Sequence, residues 1–96
     1  MKSPQTCKNL TDVREAIDAI DEKVLQLLTE RQAYVHQAAR FKTREQVVDK
    51  KRIDAIVEKV RAYADTHNVN PDMVEDVWRR MIEEFIRLEY QLLDDS

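Results

Sequence analysis

The sequence contains no glycine and only two prolines, Pro4 and Pro71. Tight hairpin turns depend on residues that tolerate positive φ, glycine above all, so this absence weighs against a many-stranded fold and favours long helices joined by few loops. Cysteine is scarce too: Cys7 stands alone and cannot form an internal disulfide. No apolar run approaches the ~20 residues that a membrane-spanning helix needs. The N-terminus, Met1-Lys2-Ser3-Pro4-Gln5-Thr6-Cys7-Lys8-Asn9, has no apolar signal core behind it. A reducing, cytoplasmic location is therefore expected. Positive charge is not in excess. Sixteen Lys and Arg face nineteen Asp and Glu, for a formal net charge of −3 at pH 7, and a nucleic-acid binder would carry a basic face. The densest cationic stretch, Lys50-Lys51-Arg52, is flanked by Asp49 and Asp54 and reads as the solvated first turn of a helix.

What is present is a balanced helical composition, 43% hydrophobic and 36% charged, outside the range of disordered chains. Its 96 residues suffice for one small domain, residues 1–96. From Leu10 the apolar residues recur in alternating steps of three and four: Val13, Ile17, Ile20, Val24 and Leu27, continuing through Arg31, Tyr34 and Ala38. That spacing predicts a helix with a coiled-coil-like seam from Asp12 to Phe41, capped by Thr11 or Asp12. A second stripe, Ile53, Ile56, Val57, Val60, Tyr63 and Ala64, begins after a plausible cap at Asp49 and ends at His67-Asn68. Asn70-Pro71 is a strong start signal for a third helix. Its stripe is Val74, Val77, Trp78, Met81, Ile82, Phe85, Ile86, Glu89, Leu92 and Leu93. The loop around Thr43–Val48 is the one mid-chain stretch expected to be mobile.

The fold expected is thus all-α, with three helices of which the first is very long. A helix over Asp12–Phe41 extends about 45 Å, whereas a domain of this size has a radius of gyration near ~13 Å. Its apolar seam needs a cover that the chain itself cannot supply. A second copy is the simplest one, giving a two-fold homodimer.

Two charges interrupt the apolar stripes: Arg31 on the first helix and Glu89 on the third. One such residue alone reads as a register-setting ion pair or a side chain reaching out at the seam's edge. Two of them, with further cations at Arg14, Lys42 and Arg52, point to a polar pocket inside a helical bundle. His36 and His67 lack ligand spacing, so no metal is expected. No nucleophile motif or phosphate-cradling glycine loop is present, so chemistry in such a pocket would rest on electrostatics and positioning, with no cofactor.

The stretch Asp12-Val13-Arg14-Glu15-Ala16-Ile17-Asp18-Ala19-Ile20-Asp21 resembles the opening of the all-helical chorismate mutases, and Leu27-Leu28-Thr29-Glu30-Arg31 resembles their next segment. Lys42, the pair Asp49 and Arg52, and a long closing helix follow at that family's distances. The resemblance covers essentially the whole chain. It implies an intertwined helical homodimer with two equivalent sites, each receiving Arg14 from the other chain. It implies that Arg14 and Arg31 bind the two carboxylates of a small dicarboxylate substrate, chorismate or isochorismate. Lys42 would reach a carboxylate and the ether oxygen, and Arg52, with the backbone near Asp49, would close over the ring. Glu89 would donate a hydrogen bond to the ether oxygen. Lys42 and Glu89 are thus the expected catalytic pair. Ile53 and Phe85 complete the substrate-binding set, and Ala38, Ile82 and Ile86 match apolar wall positions. The implied activity is the Claisen rearrangement of chorismate to prephenate, which needs a held conformer and donors at the breaking C–O bond.

Two positions depart from the commonest pattern. Ile53 stands where mutases of this class carry a glutamate that reads the ring hydroxyl. The family's lyase branch, which converts isochorismate to salicylate and pyruvate, tends to be apolar there. The segments Met1-Lys2-Ser3-Pro4…Cys7 and Ala39-Arg40-Phe41-Lys42 also resemble that branch, so isochorismate pyruvate lyase is the alternative activity. Glu89 stands where many members have glutamine; a carboxylate cannot donate to an ether oxygen, whereas a carboxylic acid can. A reading of another class, a non-catalytic helical dimer that scaffolds a partner, accounts for the seam but not for Arg31 and Glu89.

Overall fold

The computed structural model describes residues 3–95. Met1 and Lys2, part of the lyase-like N-terminal segment, lie outside the described residues. Among the described residues there are three α-helices and no strand: α1 Leu10–Arg40, α2 Lys50–Thr66 and α3 Pro71–Asp94. Two short 3-10 turns, Pro4–Thr6 and Arg44–Gln46, precede α1 and α2. The all-α expectation with one very long first helix is met.

The caps explain where each helix begins. α1 starts two residues before the expected position, because Asn9 is its cap: Asn9 Oδ1 accepts from the Asp12 amide at 2.8 Å. Asp12 is not the cap; its carboxylate reaches back to accept from the Lys8 amide at 3.0 Å. A short side chain outside the first turn is placed to satisfy an orphan amide inside it, and Thr11 and Asp12 already lie within that turn. α2 is capped by Asp49, whose Oδ1 accepts from the Arg52 amide at 3.0 Å, as expected. Its end is a left-handed residue, Asn68 at φ 58°, which lets the Val69 amide reach back to the Ala64 carbonyl at 2.9 Å. Asparagine tolerates this conformation better than most residues. α3 opens with Asn70 capping Asp72 at 2.9 Å and Pro71 in its first turn.

The chain divides into two compact units, one up to Tyr34 and one from Val35 onward. The first is dominated by α1, and its seam is open: Val13, Ile17, Ile20, Val24 and Leu27 are 39–62% exposed. In the second unit α2 packs against α3, and the buried apolar side chains Val57, Ala64, Ile82, Ala39 and Val47 form its core. Arg61 ties the two helices together, donating to Asp72 at 2.9 Å and to Glu75 at 2.8 Å. Arg79 adds a 2.6 Å bond to Glu75. The hydrogen bond from Arg79, with that from Arg61, outweighs burial and holds the Glu75 carboxyl below its usual range. Hydrogen bonds from Arg61 to Asp72 and then Glu75 raise the guanidinium in turn.

The segment between α1 and α2, expected as a loop, contains a hydrogen-bonded turn of its own. The Gln46 side chain accepts from the Thr43 amide at 2.8 Å, and the Gln46 amide donates to the Thr43 carbonyl at 3.0 Å. Val47 beyond it is 4% exposed. Thr43-Arg44-Glu45-Gln46 is a threonine-to-glutamine capping pattern, the sequence signal by which this turn is legible.

Candidate active site

Glu89 is the one buried charged or polar residue among those described, at 6% exposure. It lies on the apolar face of α3, one turn from Phe85 and Ile86 and two from Ile82. Ile82 is buried, and Phe85 and Ile86 are half-buried. A carboxylate in such surroundings needs a partner, and Lys42 supplies it. Lys42 Nζ lies 3.0 Å from Glu89 Oε2 and 3.2 Å from Oε1. The two residues are 47 positions apart in sequence. The lysine stays about a third exposed, so its head remains within reach of an incoming anion.

Lys42 sits where α1 has ended, on the turn leading to α2. With Phe41, Glu45, Gln46, Val48, Asp49 and Lys50 it lines a cavity of about 470 Å³. The expected partners Lys42 and Asp49 therefore share one concavity. Arg52 and Ile53 follow on the first turn of α2, the arginine exposed and the isoleucine half-buried. The Ile53 side chain carries no polar atom. Ala38 is half-buried near the end of α1.

Arg14 and Arg31 belong to the first unit. Arg14 is exposed in the first turns of α1, and Arg31 is half-buried further along. Seventeen positions separate them (31 − 14), which is about 25 Å along a helix axis. The pair Arg14 and Arg31 of one chain is thus too widely spaced for the two carboxylates of a single small molecule.

The histidines take the ordinary roles expected of them. His36 is exposed, and His67 ends α2, stacked on Tyr63 at 3.9 Å between ring centroids. Among the described residues no group of three or more His, Cys, Asp or Glu side chains is arranged to hold a metal, and no helix is long and apolar enough to cross a membrane.

Sequence reasoning missed a neighbouring group. Arg44 pairs with Asp94 at the end of α3, and its guanidinium carbon lies 4.8 Å from the centre of the Tyr90 ring. No periodicity marks a residue in a turn, so only the folded chain reveals this contact.

A recess lined by Lys42, Lys50, Glu45 and Asp49, beside the Lys42–Glu89 pair, defines a small all-helical protein with a charged surface site. Residues 13–90 match the family described as chorismate mutase type II, and the chain belongs to that family. It is 34% identical over 87 residues to the isochorismate pyruvate lyase of Pseudomonas aeruginosa, covering 90% of this chain and 86% of that protein. It is 28% identical over 91 residues to the chorismate mutase of Methanocaldococcus jannaschii, covering 93% and 92%.

Proposed function

We propose that the protein is a cofactor-free chorismate mutase, converting chorismate to prephenate by an intramolecular Claisen rearrangement. The observation that carries this reading is the Lys42–Glu89 pair, 3.0 Å apart, with Glu89 buried on an apolar helix face. An ion pair with one partner left reachable is a poor structural investment, since buried pairs rarely add stability over apolar residues. It suits a site where the lysine exchanges its partner for a substrate oxygen. As the C–O bond of chorismate breaks, negative charge grows on the ether oxygen. Lys42 is a donor for that charge, and Glu89 holds its ammonium in place before the reaction starts. Arg31 binds one substrate carboxylate and Arg14 the other. Arg52 and the backbone near Asp49 close over the ring. Ala38, Ile82, Phe85 and Ile86 form the walls that favour the folded conformer. The step needs neither nucleophile nor general base.

The site is complete in a homodimer. The open seam of α1 supports this, since burying the remaining exposed half of a Val, Leu or Ile side chain contributes roughly 1 kcal/mol. The spacing of Arg14 and Arg31 supports it equally, because a substrate held at Arg31 takes its second arginine from the partner chain. In this reading residues 1–96 are one catalytic domain, and the enzyme works in the cytoplasm.

A second reading, isochorismate pyruvate lyase, is favoured by Ile53. An apolar side chain at the ring-facing position removes the contact that would select the ring hydroxyl of chorismate. The lyase of Pseudomonas aeruginosa is also the more similar of the two relatives, at 34% against 28% identity.

The deciding experiment is a paired assay of the purified protein on chorismate and isochorismate, with product identification. Prephenate formed at the higher kcat/KM establishes the mutase. Salicylate with pyruvate at the higher value establishes the lyase, and then Ile53→Glu should shift the preference toward chorismate. No turnover of either substrate would overturn both readings in favour of a scaffold.

A further inference from the structure

The segment from Lys42 to Asp49 carries two of the residues assigned to substrate, one at each end. Its interior is held by its own turn and by the buried Val47 side chain. Two side chains reach from it to α3. Lys42 reaches Glu89, and Arg44 reaches Asp94 while covering Tyr90. All three α3 partners lie within its last turns, so the segment is pinned along one short stretch of helix.

The two pins differ in what an anionic substrate does to them. Lys42 lines the recess, and its bond to Glu89 would loosen when the ammonium turns to a substrate carboxylate. The Arg44 contact faces outward, with both Arg44 and Asp94 more than half exposed. Arg44 is not among the side chains that line the recess, so an anion bound there would leave this contact closed. The end of α3 also suits a cation. Its last residues are Gln91-Leu92-Leu93-Asp94, so the negative pole of the helix and an aspartate coincide. The ring of Tyr90 gives the flat guanidinium a second surface.

We propose that Arg44 is a positioning residue. By clasping Tyr90 and Asp94 it holds the Lys42–Asp49 segment against α3 while Lys42 exchanges Glu89 for the substrate. The substrate part of this inference rests on the function proposed above; the clasp itself does not.

The test compares wild type with Arg44→Ala, Arg44→Lys, Asp94→Asn and the double variant Arg44→Ala/Asp94→Asn. It uses steady-state kinetics on whichever of chorismate and isochorismate the wild type turns over, hydrogen exchange across residues 42–49, and thermal melting. An exposed ion pair and an exposed cation–π contact are each weak, so Arg44→Ala should raise KM about 3- to 10-fold with kcat changed less than about twofold, the signature of lost uniform binding. The Gln46 and Val47 amides should exchange faster by a similar factor. Asp94→Asn should reproduce part of both effects and add little in the double variant, because the pair acts as a unit. Arg44→Lys should recover part of the loss, keeping the charge without the planar face. A lowered melting temperature with unchanged KM and unchanged exchange in 42–49 would overturn the proposal, leaving Arg44 a stabiliser of the α3 terminus. If the wild type turns over neither substrate, the function fails separately and exchange alone decides: faster opening in Arg44→Ala sustains the clasp, and equal opening rejects it.

Discussion

The ammonium of Lys42 meets both carboxylate oxygens of Glu89, at 3.0 and 3.2 Å, with the carboxylate buried and the lysine a third exposed. Each residue explains the other's position. Glu89 interrupts an apolar stripe and needs a cation; Lys42 stands past the end of α1, where a turn directs it to α3.

Removing one partner of that pair should cost more than removing both. Lys42→Ala leaves a buried carboxylate without its cation and should destabilise the protein by about 1–3 kcal/mol in urea unfolding. The double variant Lys42→Ala/Glu89→Gln should recover most of that loss. Turnover should not recover: both proteins should fall about 10²- to 10³-fold in kcat, the range for removing a donor to developing negative charge. Stability that does not return in the double variant would mean the pair is not the reason for the loss.

Residue 89 should matter through its polar side chain. An amide both donates and accepts hydrogen bonds, whereas an aliphatic side chain does neither. Glu89→Gln should therefore keep most of the turnover, and Glu89→Leu should lose about 10²- to 10³-fold in kcat. Equal turnover in the two variants would remove Glu89 from the catalytic role.

If Arg14 works across a dimer, two inactive variants should repair each other. Arg14→Ala and Arg31→Ala should each lose turnover. Unfolded together and refolded as an equal mixture, they should recover about a quarter of wild-type activity, because half the two-fold dimers are mixed and one of their two sites is intact. An arginine acting within its own chain would recover none. Sedimentation of Ile20→Glu should show a shift toward monomer, since that change puts a charge on the open seam of α1.

The Glu75 cluster should mark the acid limb of stability. Hydrogen bonds from Arg79 and Arg61 keep its carboxyl below the usual glutamate range. The stabilisation is therefore present above that range and is lost as pH falls through the lowered value. Glu75→Gln should lower the melting temperature at pH 7 relative to wild type, with the gap narrowing toward pH 3. A gap independent of pH would assign the effect to packing.

Local chemistry made much of the fold legible in the sequence. The missing glycines, the three-and-four spacing, the Asp49 cap, the Asn70-Pro71 start and the Asn68 stop each act within a few residues, and each appears where expected. The cap of α1 went astray because several capping residue types crowd positions 9–12 and the apolar pattern alone does not choose among them. Arg31 and Glu89 could be singled out because a charge on an apolar stripe is costly wherever the chain folds.

The sequence by itself determined an all-helical chain with an uncovered seam and two charges out of place, because helical periodicity and burial cost are written residue by residue. It did not determine which cation Glu89 meets or that Arg44 meets Tyr90 and Asp94. Those partners lie 47 and 50 positions away for the two ion pairs. They are joined by the turn before α2 and the packing of α2 on α3, and only closure of the tertiary structure sets that distance.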